Sequence, residues 1–389
     1  MKKNLLITVV LMVLSFVLVS GVIAADLDTA NPIKIGYVGA LSGDTALWGQ
    51  AGLNGLTLTA EMVNEEGGIL GREVQIIGLD GKGAADDSVA AYKRLVEQEG
   101  VVAVVGTNFS SCNIPIAAVS DELHVPVIAT AASNELVTVD AEGKLHPYSF
   151  RLCFIDPYMG YLAGSYAYNE LGLRKAAIIT DITDPYSTGV GGYMLDTFTS
   201  LGGEVVAQEE AQNGDNDFRA QLTKIAMAQP DVLFVPWNYV NVALIGQQAR
   251  ELGITAVMVG ADGWDTNELI ELSRGALEGS YYVSRPGFNL PEAAAYFEIY
   301  DAKFHSSKET ECLYGNDGLM WIKQAIEAAG SAEPDAIRDQ LEATDSFDGL
   351  LGHMSVDPTN HNPSRDAAIF RVDADEVAYV GIYDPAKAE

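Results

Sequence analysis

The chain has 389 residues and a formal net charge of −31, from 54 acidic and 23 basic residues. Such an excess of negative charge argues against nucleic acid and anionic membrane surfaces as partners. Single hydrophobic cores stop growing at about 250–300 residues, so the length predicts two domains. The three cysteines lie far apart, and no histidine stands near them at zinc-ligand spacing. We therefore expect no metal and no cofactor.

The N-terminus predicts a signal peptide. Met1–Lys3 supplies positive charge, an apolar run follows from Leu5 to Ile23, and small residues at Ala24 and Ala25 form a cleavage site. We expect residues 1–25 to be removed on export, with an uncleaved membrane anchor as the alternative. No later apolar run reaches the length of a membrane span. The rest of the chain is therefore expected to stay outside the membrane, as a monomer.

Strand-like apolar segments then alternate with amphipathic helical segments. The first block has strands at 33–40, 73–79, 102–105 and 126–129, and helices at 49–66, 86–98 and 113–123. The second has helices at 158–170, 190–201, 218–228 and 240–252, and strands at 176–180, 204–207, 232–235 and 256–260. Helices at 291–304 and 315–329 and strands near 367–372 and 377–383 complete the chain. Two blocks of strand–helix units predict an α/β fold with two doubly wound parallel sheets.

The segment Val101–Cys112, VVAVVGTNFSSC, predicts an anion-binding turn. A buried strand leads into the turn, and a helix is predicted directly after it. Ser110 and Ser111 are placed to cap this helix, whose free backbone N–H groups and dipole favour a negative group by roughly 0.3–2 kcal/mol. The alternative is an ordinary capped helix with nothing bound.

Ligands of doubly wound sheets bind beyond the carboxyl ends of the strands. In the first block the loops at these ends offer hydroxyl and backbone groups, whereas in the second block they offer aromatic rings and carboxylates. This division suits a cleft that closes on a zwitterion. We expect Asp262 to face the ligand and Asp265 to cap a following helix at 266–273, with an acid–base pair as the alternative.

Signatures of enzymes are weak. The glycines of 81–86 lack the third glycine of a dinucleotide fingerprint, and no Walker loop or G-x-S-x-G elbow occurs. The five histidines lie away from the strand-end loops, so a catalytic triad has no base. We predict no enzymatic activity; an oxidoreductase or a hydrolase on the same scaffold is the alternative.

At these loops the chain resembles the periplasmic branched-chain amino acid binding proteins of ABC transporters, which have the type I periplasmic binding protein fold. The resemblance covers nearly all of residues 32–385 and rests on motifs such as IKIGYVGALSGDTALWGQ, GTNFSSC, IATAASNELVT and VGADGWD. It implies two lobes joined by a three-crossover hinge, with lobe one at 32–149 plus 282–352 and lobe two at 150–281 plus 353–385. It also implies a periplasmic location and an ABC transporter permease as partner.

The resemblance further implies that lobe one holds an α-amino acid through five residues. Ser110 matches a serine that binds the ligand carboxylate through its hydroxyl and backbone N–H. Ala131 matches a position whose carbonyl accepts from the ligand ammonium, and Ser133 falls where branched-chain binders carry threonine. Trp48 matches an aromatic residue of the side-chain pocket, and Ala132 belongs to the same loop as Ala131.

In lobe two, Tyr186 and Tyr239 match aromatic residues that cover the ligand on closure, with the alignment around Tyr239 open by one residue. Asp262 falls where the branched-chain binders often carry glutamate for the ammonium, and it is one methylene shorter. Phe109 replaces a cysteine that forms a disulfide in some relatives. The implied function is a receptor that closes on a branched-chain or similar amino acid and delivers it to the permease. The alternative is a ligand-sensing receptor or regulatory domain of the same fold that binds a small amide, urea or an aromatic acid.

Overall fold

The computed structural model describes residues 27–287, 290–306 and 309–385. The predicted signal peptide lies outside the described residues. No helix of the described ranges is long and apolar enough to span a membrane.

The first sheet has five parallel strands in the order β2-β1-β3-β4-β5. These strands are β1 (Asp28–Gly39), β2 (Arg72–Asp80), β3 (Ala103–Val105), β4 (Val127–Ala129) and β5 (Ser149–Arg151). The helices between them are α1 (Ala46–Glu65), α2 (Ala85–Arg94) and α3 (Ser110–Leu123). Apolar runs such as VVAVV suit these strands because helices cover both faces of a parallel sheet.

The second sheet has seven strands in the order β14-β13-β10-β9-β8-β6-β7. Its strands are β6 (Lys175–Asp181), β7 (Glu204–Ala211), β8 (Val232–Phe234), β9 (Val257–Gly260), β10 (Tyr281–Ser284), β13 (Ala368–Val372) and β14 (Val377–Ile382). The helices of this part are α4 (Asp156–Ser165), α5 (Pro185–Ser200), α6 (Arg219–Ala228), α7 (Tyr239–Glu251) and α8 (Glu268–Ser273). Strands β13 and β14 are antiparallel and close one edge, so the sheet is parallel from β10 to β7 and mixed overall.

Three further helices return to the first sheet: α9 (Pro291–Phe304), α10 (Thr310–Ala329) and α11 (Pro334–Glu342). Their apolar residues share one core with β1 and α1, together with the hairpin β11 (Phe347–Gly349) and β12 (Gly352–Met354). Helices α1 and α10 approach closely at Gly55 and Gly315, where a Cβ atom would meet backbone of the facing helix at 2.1 and 2.3 Å. Glycine is required at these two positions because the helix backbones touch.

The chain passes between the two sheets three times, at 152–155, after β10 from Arg285 onward, and at 355–367. We call the part built on the first sheet lobe one and the part built on the second sheet lobe two. The predicted α/β fold with two doubly wound lobes and three crossovers is confirmed. The exact lobe boundaries stay a prediction.

The predicted helix of 113–123 starts three residues early, at Ser110, because the helical backbone runs through both serines. Phe109 occupies the N-cap position, and no side chain caps the helix. The predicted cap by Ser110 and Ser111 is therefore wrong, and both serines belong to the first turn. Helix α10 likewise starts at Thr310 rather than at 315, which brings Glu311 into its first turn.

Candidate ligand-binding cleft

A cleft lies between the lobes, at the carboxyl ends of the strands of both sheets. Lobe one lines it with residues from α1, the turn before α3, the loop after β4 and the start of α10. Lobe two contributes the N-termini of α5 and α7 and the loop after β9. The lining residues are Trp48, Asn108, Phe109, Ser110, Ala131, Asp184, Tyr186, Asn238, Asp262, Gly263 and Glu311.

The lobes are closed on each other, because the cavity measures only about 20 Å³, room for about one water molecule. A larger groove of about 1060 Å³ lies in lobe one between α1, α9, α10 and the β11–β12 hairpin. That groove is away from the strand ends and touches one lobe only. A second cavity between the lobes, of about 220 Å³, adjoins the cleft and shares Phe109, Asp184 and Asn238 with it. We take the cleft as the candidate site because it is lined by Ser110 from one lobe and Asp262 from the other.

The turn before α3 is held by Asn113 of that helix. Its side-chain N–H groups donate to the carbonyl and to the hydroxyl of Thr107, each at 2.7 Å. Its side-chain oxygen accepts from the Thr107 backbone N–H at 3.3 Å. Asn113 is fully buried, so these bonds fix the path of the turn. Ser110 is thereby held at the N-terminal end of α3, facing lobe two.

Ser110 is 2% exposed, and its hydroxyl accepts from the backbone N–H of Asn134 at 3.2 Å. The first backbone N–H groups of a helix have no intrahelical partners and carry a partial positive charge. The Ser110 end of α3 can therefore bind a negatively charged group. Ala131 also lines the cleft, from the loop after β4.

Buried Arg151 determines the course of that loop. Its guanidinium donates to the Ala132 carbonyl at 3.3 Å, to the Asn134 carbonyl at 2.9 Å and to the Thr138 hydroxyl at 3.0 Å. Ala132 packs in a small apolar cluster with its carbonyl turned to Arg151, and it is not among the lining residues. Ser133 is fully buried behind the cleft surface.

Asp156 lies beside Ser133, at the start of α4. Its carboxylate accepts from the side chain of Asn134 at 3.0 Å, and its backbone N–H donates to the Ser133 carbonyl at 3.1 Å. Burial raises the pKa of Asp156 to about 8, although Ser133 and Arg151 oppose the shift. The surroundings of this carboxyl group therefore favour its protonated, uncharged form.

On the lobe-two side, Tyr186 and Asp262 both reach the cleft. The Tyr186 hydroxyl accepts from the Gly263 backbone N–H at 2.9 Å, and a Cβ on Gly263 would come within 2.9 Å of that hydroxyl. The side chain of Asp262 is buried and pairs with Arg285 at 2.9 Å. Burial raises the pKa of Asp262, and Arg285 acts in the opposite direction.

Arg285 contacts both acids of the loop after β9, and its ion pair with Asp262 partly offsets the charge of that acid. It also corrects one expectation of the sequence. Asp265 lies 3.8 Å from the same guanidinium and accepts from the Ser284 hydroxyl at 2.7 Å. Helix α8 begins at Glu268 with Asn267 at its N-cap. The predicted capping role of Asp265 is therefore wrong, because Asp265 faces the arginine.

Aromatic rings form one wall of the cleft. Trp48 packs against Tyr239 with ring centroids 4.7 Å apart and against Phe109 at 6.2 Å. The Trp48 indole N–H is buried and has no hydrogen-bond partner among the described residues. Tyr239 is covered by Trp48 and does not itself line the cavity, whereas its neighbour Asn238 does. Asn238 is therefore the residue of this segment that reaches the cavity, and a role of Tyr239 in covering a ligand stays a prediction.

Several hydrogen bonds cross directly from one lobe to the other. The Tyr239 hydroxyl donates to the Asp44 carbonyl at 3.1 Å. The Asn134 side chain donates to the Pro185 carbonyl at 2.9 Å. These bonds are made by the rims of the cleft, so the lobes touch on either side of the site.

Five of the eight residues predicted for the site line the cavity, and the other three lie behind it. The sequence reasoning missed Arg151, Arg285, Asn113, Asp184 and Glu311. The last two line the cleft, and burial raises the pKa of Asp184 to about 6 and that of Glu311 to about 8. Glu311 lies some two hundred residues from Ser110 in the chain, and only the packing of α10 on lobe one brings them together.

None of the five histidines lines the cleft, and within the described ranges no three His, Cys, Asp or Glu side chains are grouped as metal ligands.

Comparison with known proteins gives one consistent result. A profile of the family described as "Periplasmic binding protein" matches residues 32–376. An amino acid binding protein of Pseudomonas aeruginosa is 28% identical over 328 residues, covering 84% of this chain and 86% of its own length. The leucine-binding protein LivK of Thermotoga maritima has a TM-score of 0.84 at 29% identity, covering 91% of this chain and 99% of its own. The branched-chain amino acid transporter substrate-binding protein LivJ of Streptococcus pneumoniae, in complex with isoleucine, has a TM-score of 0.82 at 28% identity, with the same coverage. The chain therefore belongs to the periplasmic binding protein family.

Proposed function

We propose that the protein is an exported, non-enzymatic receptor that closes on an α-amino acid and delivers it to an ABC transporter permease. The observation that carries the proposal is the arrangement of the cleft, in which Ser110 and the N-terminus of α3 face Asp262 and Tyr186 across the lobes. A site for a zwitterion needs an anion-binding group for the ligand carboxylate and an acidic group for the ligand ammonium, and the two sides of the cleft offer one each. The amino acid ligands named for the related proteins support the same choice.

In this proposal the ligand carboxylate binds the Ser110 hydroxyl and the free N–H groups of α3. The ammonium binds near the Ala131 carbonyl and Asp262, while Trp48 packs against the side chain and Tyr186 covers it. Charge-assisted hydrogen bonds contribute roughly 1.5–3 kcal/mol each. Two or three of them with a buried side chain reach micromolar affinity, near −8 kcal/mol, after ordering costs are deducted.

Ser110→Ala tests the carboxylate site, with Ser111→Ala as the matched control from the same helical turn. Ser111 lines the adjoining cavity rather than the cleft, so its loss removes a hydroxyl without removing the proposed contact. We expect Ser110→Ala to weaken amino acid binding by about 1.5–3 kcal/mol, and Ser111→Ala to leave it nearly unchanged. Isothermal titration calorimetry on the chain from residue 26 onward measures both. Equal affinities for the two variants would contradict the carboxylate site.

A thermal-shift screen identifies the class of ligand. A ligand at 100 times its dissociation constant adds about 2.7 kcal/mol of stability, which is a clear rise in the unfolding midpoint. We expect amino acids to give this rise and small amides, urea and aromatic acids to give none. A rise with aromatic acids alone would transfer the proposal to the alternative receptor class.

Export and delivery make separate predictions. The signal peptide of residues 1–25 is expected to be absent from the secreted protein, which N-terminal sequencing measures. Delivery requires that the closed, ligand-bound lobes dock on a permease. Amino acid uptake by cells that lack this protein, with and without the gene restored, tests that step.

A further inference from the structure

Glu311 is a cleft residue to which the proposed function gives no role. It lies in the first turn of α10, is 5% exposed and lines the cavity. No described residue donates a hydrogen bond to its carboxylate. A buried carboxylate without a partner costs several kcal/mol unless it meets a positive charge or takes up a proton. Burial raises the pKa of Glu311 to about 8, in line with that cost.

The nearby guanidinium of Arg285 is already engaged. It pairs with Asp262 at 2.9 Å, lies 3.8 Å from Asp265 and packs over the Tyr314 ring at 4.5 Å. Arg285 also attracts Glu311 and lowers its pKa. Asp262 and Asp265 already share that guanidinium, however, so one positive charge does not balance three carboxylates.

The charges that line the cleft show the same imbalance. Three carboxylates line it, those of Asp184, Asp262 and Glu311, and its described lining residues include no lysine or arginine. Asp184 accepts from the Tyr186 backbone N–H as the cap of α5. A neutral zwitterion brings one ammonium and one carboxylate, which the proposed contacts at Asp262 and Ser110 use. Glu311 then still has no partner.

The surroundings of Glu311 suit a cationic group on a methylene stem. Trp48 and Phe109 offer ring surfaces, which pack on methylene groups and attract cations. Both side-chain polar atoms of Asn108 are buried and have no hydrogen-bond partner among the described residues. Its carbonyl oxygen is a second acceptor for a ligand N–H in the same cavity.

Accepting the proposed function, we propose that the ligand is an α-amino acid whose side chain ends in an ammonium or guanidinium, and that Glu311 binds that group. Lysine, ornithine and arginine are the probes. Norleucine is the matched neutral probe, because it keeps the methylene stem of lysine without the terminal ammonium. Putrescine is the matched probe without an α-carboxylate.

Calorimetry on the full mature chain gives the first test. We expect lysine, ornithine or arginine to bind at least about 10-fold more tightly than norleucine, the equivalent of one charge-assisted bond. Glu311→Gln removes that preference and leaves norleucine affinity unchanged. Glu327→Gln, an exposed acid of the same helix paired with Lys323, is the control and changes neither.

Proton release on the wild-type protein gives a test that needs no variant. Because burial raises the pKa of Glu311 to about 8, we expect a cation that pairs with it at pH 7 to displace up to about one proton and norleucine to displace none. Titrations in buffers of different ionisation enthalpy measure the difference. They keep the proposal testable if Glu311→Gln fails to fold.

The outcomes separate the two proposals. Norleucine or leucine binding as tightly as lysine, with no proton released by lysine, overturns the role of Glu311 and leaves the amino acid receptor intact. Putrescine binding as tightly as ornithine overturns the α-amino acid ligand, while the pairing with Glu311 stands. Failure of lysine, ornithine and arginine to bind, with a neutral amino acid still bound, overturns only the cationic ligand, whereas failure of every amino acid contradicts both proposals.

Discussion

Removing the buried Arg285 should cost this protein several kcal/mol of stability. It is buried between two buried carboxylates, Asp262 at 2.9 Å and Asp265 at 3.8 Å, and stacks on Tyr314. Arg285→Met keeps an apolar stem against the Tyr314 ring and removes the guanidinium. Breaking a buried ion pair from one side costs about 3–5 kcal/mol, because the remaining charge stays buried and unpaired.

The chain contains a matched control at Arg219. This arginine also contacts two carboxylates, Asp217 at 3.1 Å and Glu251 at 2.8 Å, but all three side chains are at least half exposed. Exposed pairs contribute about 0–1 kcal/mol. Arg219→Met should therefore barely move the urea midpoint, whereas Arg285→Met should lower it strongly, as followed by tryptophan fluorescence.

The pH dependence of this loss has a defined sign. Burial raises the pKa of both Asp262 and Asp265, and removing Arg285 raises each pKa further. Carboxyl groups of the unfolded chain titrate near 4, so the folded variant takes up protons first as the pH falls. The stability lost at pH 8 should be partly recovered by pH 5.5. A loss below about 1 kcal/mol, or one independent of pH, would refute the buried-pair argument.

Two other residues give testable changes. Asn113→Ala removes the buried hydrogen bonds that hold Thr107, so we expect the free energy of unfolding to fall by about 2–3 kcal/mol. We also expect weaker amino acid binding, although Asn113 does not line the cleft. Unchanged affinity in calorimetry would contradict this second effect. Burial raises the pKa of Asp156 in the folded protein to about 8, so ionisation of this group at high pH opposes folding. Asp156→Asn removes that group and should therefore stabilise the protein more at pH 9 than at pH 5, by on the order of 2–4 kcal/mol. Thermal unfolding at the two pH values measures this difference, and an equal effect at both would contradict a raised pKa.

Local patterns were sufficient to predict the alternation of strands and helices. The predicted helix at 291–304 coincides with α9, and the strands of the first block differ from the structure by a few residues at their ends. The elements that were not predicted are short or depend on partners: β5, β10, α11 and the β11–β12 hairpin. Strand β10 has only four residues, and its place is fixed by pairing with β9 and β13 rather than by its own sequence.

The sequence predicted the part of the site that lies next to a strand end. It did not predict the part formed by residues that are distant in the chain and brought together by packing. Ser110 lies in the turn region that follows β3, so the rule that ligands bind at strand ends was enough to predict its position at the cleft. Arg285 and Glu311 lie after the simple alternation ends, and no local pattern distinguishes them from surface charges. Arg285 is buried where the chain leaves β10 for lobe one, and Glu311 is buried because α10 packs on lobe one. Which charged side chains are buried depends on tertiary structure, and neither the composition of a chain nor the spacing of its hydrophobic residues provides that information.

Closure of the lobes is a balance of small contributions. Direct contacts between the lobes include the Tyr239–Asp44 and Asn134–Pro185 hydrogen bonds, and each such bond contributes about 0.5–1.5 kcal/mol. A few bonds of this strength keep open and closed forms within a few kcal/mol of each other. A ligand that touched Ser110 alone would bind both forms equally and shift nothing. In the proposed function, the ligand contacts Tyr186 and Asp262 only when the lobes are closed, so we expect these lobe-two residues to make closure depend on the ligand.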